Sequence, residues 1–78
     1  MASAIMRAML DVLEGIVPYD DAAPAIQSWA RYFFYEAADE IITLPTIEDR
    51  RAALSNIPDG LRPYVEAEVR RLWAFYRT

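Results

Sequence analysis

Hydrophobic positions recur along this chain at intervals of three and four residues, the spacing that builds one face of an α-helix. No stretch keeps the period of two that marks a strand. Over about residues 3–15, Ile5, Met6, Met9, Leu10, Val12 and Leu13 gather on one side, continued by Ile16, while Arg7, Asp11 and Glu14 take the other. Ser3 is placed to cap this helix, Gly15 to end it in a left-handed turn, and Pro18 to forbid its continuation. A second helix is predicted over about 22–43, capped by Asp20 or Asp21, with Pro24 in its first turn and Pro45 beyond its end. The third, about 47–56, opens on Thr46-Ile47-Glu48-Asp49, where Thr46 can accept from the backbone and two acids complement the positive end of the helix dipole. The fourth, about 60–76, takes Asp59 as its cap and Leu61, Val65, Val69, Leu72, Trp73 and Tyr76 as its apolar stripe. The pattern predicts an all-α fold, one compact domain over residues 1–78 built as a bundle of about four helices.

The second helix carries more apolar surface than one stripe can hold. Its segment Trp29-Ala30-Arg31-Tyr32-Phe33-Phe34-Tyr35 crowds five aromatic rings into two turns. On a helical wheel, Ile26, Trp29, Ala30, Phe33, Phe34, Ala37 and Ile41 share one arc of about 140°, which is read as the core face. Tyr32, Tyr35 and Ile42 fall outside it, interleaved with Arg31, Glu36 and Asp39. Two readings follow: the second stripe packs against the first or fourth helix with its hydroxyls in solvent, or it meets another chain. In the second case Tyr32, Tyr35 and Ile42 form the partner-binding stripe and Arg31 and Asp39 fix its orientation, since tyrosine and arginine dominate interface energetics. The expected core is Met9, Leu13, Trp29, Phe33, Ile41, Leu61, Val65, Leu72 and Trp73.

Composition narrows the chemistry. The 78 residues are 55% hydrophobic and 26% charged, the balance of a folded domain, with neither histidine nor cysteine. An enzyme built from them would depend on carboxylates, serine, tyrosine or arginine alone. Glu36 and Glu40 share a face at i, i+4 and resemble half of a helical carboxylate metal site, but such sites also need a Glu-x-x-His motif. Gly15 and Gly60, the two glycines, lie far apart in sequence and form no phosphate-binding loop. The expectation is therefore a non-enzyme, with no catalytic residue, cofactor or metal. Nothing in the first residues reads as an export signal and no apolar run approaches the roughly 20 residues that span a bilayer, so the protein is expected in the cytoplasm, away from membranes. All eight basic residues are arginine and alanine is abundant, which suggests a GC-rich bacterial or phage genome.

Charge is uneven. Residues 1–44 carry a net −5 and residues 45–78 a net +1, giving −4 overall. Arg50-Arg51, Arg62 and Arg70-Arg71 can be drawn as a basic patch on a helix-turn-helix. An acidic chain lacks the basic footprint that replaces counterions on a duplex, so nucleic acid is an unlikely partner and the arginines are assigned to salt bridges. Glu68 falls inside the core arc of the fourth helix and is expected to pair with an arginine from the third or to reach solvent at its edge.

Leu44-Pro45, Arg50-Arg51, Leu54, Ile57-Pro58, Leu61-Arg62, Val65-Glu66, Val69 and Leu72-Trp73 together resemble short all-helical reading frames of phages, prophages and plasmids in proteobacteria. The resemblance covers residues 44–73 and brings no catalytic residues with it. It implies a mobile-element accessory protein that works in a bacterial host by occupying a host protein complex, as inhibitors of host defence do, anti-CRISPR proteins among them. A homo-oligomeric structural protein, with the second stripe against its own copy, and a small DNA-binding regulator are the alternatives.

Overall fold

A computed structural model describes residues 3–76; residues 1, 2, 77 and 78, the ends of the predicted domain, lie outside the described residues. Its helices are α1 Ala4–Leu13, α2 Pro24–Ile42, α3 Ile47–Ser55 and α4 Arg62–Tyr76, with a turn of 3-10 helix at Tyr19–Asp21. No strand occurs among the described residues, so the all-α four-helix fold read from periodicity is the fold observed.

Local chemistry sets the helix ends. The Met6 N–H donates to Ser3 Oγ at 3.1 Å and the Asp49 N–H to Thr46 Oγ1 at 3.0 Å, each satisfying a donor that a helix start leaves without an intrahelical partner. The caps expected for α2 and α4 work differently. Asp20 and Asp21 sit inside the 3-10 turn, and α2 starts from Ala23 with no side-chain cap. Pro24, at the first helical position, has no N–H to satisfy. Gln27 instead reaches back and donates to the Tyr19 and Asp20 carbonyls at 3.1 and 3.2 Å, tying the turn to the first turn of α2. Asp59 spends its carboxylate on Arg62, 2.8 Å away.

The long α2 and α4 form the spine. Ile26 and Ala30 cluster with Leu61, the Phe34 ring stacks on Tyr64 at 5.8 Å, and Ile42 borders Trp73 and Tyr76. Residue numbers rise together along both helices. They therefore run parallel, and α3 is the return segment between them. Ala30 and Ala38, both 0% exposed, present only methyl groups and keep the two helices close. One buried cluster joins Val12, Ile26, Ala30 and Leu61; the other joins Phe34, Ala38, Ile41, Val65, Val69 and Leu72. Tyr19, Phe33 and Ile57 touch both clusters.

The core differs from the one expected. Ile41, Leu61, Val65 and Leu72 are buried, whereas Met9, Leu13, Trp29, Phe33 and Trp73 are half-buried at the margins. On α2 the buried face is turned toward Phe34 and Ala38, because close approach of α4 favours small residues over the bulk of Trp29. On α1 the buried residue is Val12, and not the expected Met9 or Leu13; Ile5, Met6 and Leu10 are 68%, 54% and 45% exposed. This helix meets the body through its C-terminal half.

The two glycines explain that junction. Gly15 has φ +79°, the left-handed turn that ends α1, and it packs against Gly60 in the loop before α4. The Gly60 N–H donates to the Leu13 carbonyl at 2.8 Å. A Cβ on Gly60 would stand 1.8 Å from the Val12 carbonyl oxygen. Far apart in sequence, the glycines are a docking point between loops. The molecule they help assemble measures 44 × 22 × 15 Å, an elongated shape with much of its side-chain surface outside the core.

Candidate functional site

The outer stripe of α2 is displayed much as its spacing predicts. Arg31, Tyr32, Tyr35 and Asp39 are exposed, and Ile42 is half-buried against the core cluster at the end of the helix. Tyr32 is 66% exposed and donates its hydroxyl to Glu36 Oε1 at 2.9 Å, one turn along. That hydrogen bond, and then the charge of the carboxylate, hold the phenol above its ordinary pKa. Tyr35 is 45% exposed and sets its ring edge-on to Phe34, with centroids 5.0 Å apart. Neither tyrosine belongs to a buried cluster.

α4 presents exposed charged and aromatic groups of its own. Arg71 binds Glu68 through Nε, at 3.1 and 3.0 Å from the two carboxylate oxygens. The Glu68 hydrogen bond and charge raise the Arg71 pKa, desolvation opposes them, and Tyr35 and Asp39 of α2 add to the rise. Arg71 pairs within α4 and stands close enough to α2 to feel the charge of Tyr35 and Asp39. Glu68 does lose most of its exposure, its side chain keeping 11%, but its partner comes from its own helix and not from α3. Farther along, Ile42, Trp73 and Tyr76 enclose a hollow of about 190 Å³. Phe75 and Tyr76 are 67% and 68% exposed, with edge-to-face rings 5.3 Å apart. Periodicity places Tyr76 on the apolar stripe of α4, yet it is exposed, lining that hollow with Ile42 at the end of α2.

The other candidate chemistry disperses. Glu36 is engaged by Tyr32, Asp39 stands near Arg71, and Glu40 lines a hollow of about 350 Å³ between α2 and α3. Among the described residues no three potential metal ligands converge. The arginines of the drawn basic patch are mostly occupied. Arg62 donates to the carbonyls of Leu54, Ser55 and Ile57 at 3.1, 3.3 and 2.8 Å, closing the C-terminus of α3. Arg50 donates to the Leu44 carbonyl at 3.1 Å and stacks 4.2 Å above the Trp73 ring. Arg70 pairs with Glu66. What remains outward-facing and chemically distinctive is the aromatic surface of α2 and the end of α4.

No helix among the described residues is long and apolar enough to cross a membrane. Comparison with protein-family models, curated proteins and solved structures returns no match.

Proposed function

We propose that this protein is a non-enzymatic protein-binding module whose docking surface is the stripe Arg31, Tyr32, Tyr35, Asp39 and Ile42, enlarged by Phe75 and Tyr76. The observation that carries the proposal is the exposure of four aromatic side chains, Tyr32, Tyr35, Phe75 and Tyr76, at 66%, 45%, 67% and 68% in a domain of 78 residues. Exposed apolar surface with a polar rim marks an interaction site, and tyrosine contributes most when a partner excludes water from its ring. Arg31, Asp39 and the Arg71–Glu68 pair supply a rim of both signs, suited to setting the orientation of a protein partner. In its most concrete form the module is a phage or mobile-element inhibitor acting in the cytoplasm of a bacterial host, where it occupies a host defence complex.

Affinity capture in such a host, with the wild-type chain beside Tyr32→Ser/Tyr35→Ser, tests the proposal. A stoichiometric protein complex retained by the wild type and lost by the variant is expected. Sequence-specific retention of duplex DNA near 0.15 M salt, where a few phosphate contacts no longer suffice, would replace it with the regulator reading.

A further inference from the structure

The exposed face of α1 is independent of the aromatic surface, and its charges favour a particular occupant. Met6 and Leu10 are 54% and 45% exposed and sit beside the half-buried Leu13 on one stripe of α1. Along the polar edge of that stripe stand Arg7 and Glu14, two turns apart and opposite in sign, with Asp11 one turn from Arg7 and farther round the helix; the three line one hollow with Leu10, and none makes an ion pair among the described residues. A helix that places opposite charges two turns apart on one edge is complementary to an antiparallel copy of itself. A parallel two-fold copy would carry the charged edge to the opposite side of the interface, where the charges do not meet.

We propose that two copies of this chain pair antiparallel through α1, with Leu10 against its own copy at the two-fold axis and Arg7 of each copy facing Glu14 of the other. Met6 then lies across from Leu13 of the second copy, so the stripe is covered on both sides by the same residues, as an isologous interface requires. Ten residues of helix are about 15 Å long, and two such helices bury less than about 1,200 Å² in total, the small end of specific interfaces. The pairing is consequently weak and reversible, set by protein concentration. It leaves Tyr32 and Tyr35 free, so a dimer presents the surface proposed above twice.

Light scattering and sedimentation of the full chain across micromolar to millimolar concentration test this. The wild type is expected to pass from monomer to dimer. Arg7→Glu and Glu14→Arg should each weaken dimerisation by about tenfold or more, since each sets like charges across the axis. The double variant, and an equimolar mixture of the two single variants, should recover it. Leu10→Asp should remain monomeric, with circular dichroism unchanged. A chain that stays monomeric throughout would overturn the proposal, as would a dimer indifferent to the charge reversals or dissolved by Tyr32→Ser/Tyr35→Ser. Co-sedimentation of the monomer with phosphatidylcholine vesicles, abolished by Leu10→Asp, would assign the α1 face to a lipid surface instead. Because the two surfaces lie on different elements, loss of one interaction does not carry the other with it.

Discussion

Gly60 is the residue whose identity the structure constrains most tightly. A methyl group there meets the backbone oxygen of Val12 at 1.8 Å, so Gly60→Ala has to push α1 off the loop. It should cost about 3 kcal/mol or more in urea unfolding, at the upper end of overpacking penalties. Gly15→Ala meets nothing closer than 3.6 Å and should cost only the roughly 1–2 kcal/mol of a left-handed alanine. Equal effects at both positions would contradict the close approach. Gly15 was legible in the sequence, since it follows an amphipathic run and precedes a proline. Gly60 was not, because its constraint comes from a backbone segment remote in the chain. Two phenols make a pH prediction. Burial, reinforced by Asp20, raises the Tyr64 pKa, and Glu36 raises that of Tyr32. The folded chain thus holds these protons more tightly than the unfolded chain, so their contribution to stability is complete below about pH 10 and is lost as pH rises through the folded values. Ultraviolet titration should show late phenol ionisation, partly returned to the ordinary range by Glu36→Gln; ordinary titration of every tyrosine would contradict the assignment.

Among the elements, α3 depends on a neighbour for its ending. Arg62 of α4 supplies three carbonyl contacts at its C-terminus, so Arg62→Ala should cost about 1.5–3 kcal/mol, and lysine, lacking the planar fork, should not restore it. Arg70→Ala removes an exposed i, i+4 pair and should cost about 0.3–0.5 kcal/mol. Thermal melts of the three variants separate these cases, and equal losses would mean that Arg62 is only a surface charge. Helix existence and type were legible throughout, because 3.6-residue periodicity and proline punctuation are local signals. Which face is buried was less so. The wheel of α2 put Trp29, Phe33 and Ala37 on the core arc beside Ile26, Ala30, Phe34 and Ile41, while the buried face is rotated to include Ala38 and leaves those three at its margin. On α1 the expected Met9 and Leu13 pack at the margin of the cluster around Val12, which is the residue fully buried. The contrast is measurable: Leu61→Ala, at 0% exposure, should cost about 2–5 kcal/mol, and Leu10→Ala, at 45%, less than about 0.5.

Taken whole, the molecule is a parallel helix pair with a return helix, long enough at 44 Å to leave two separate apolar surfaces outside one small core. The second stripe of α2 could be found by periodicity because it is an excess: one helix cannot bury both sides in so short a chain. The exposure of Phe75 and Tyr76 was hidden, since periodicity puts Tyr76 on the apolar stripe of α4 and says nothing of what covers the end of that helix. Recognition of a protein by this aromatic surface is the proposal on which the functional reading depends. The direct measurement is calorimetric titration of the purified captured partner with the wild-type chain and with Tyr32→Ser/Tyr35→Ser, alongside the melting temperature of each. Loss of two interface tyrosines worth about 2 kcal/mol together predicts affinity weaker by about thirtyfold or more, with melting within a few degrees of wild type. Unchanged affinity in a fully folded variant would contradict the claim.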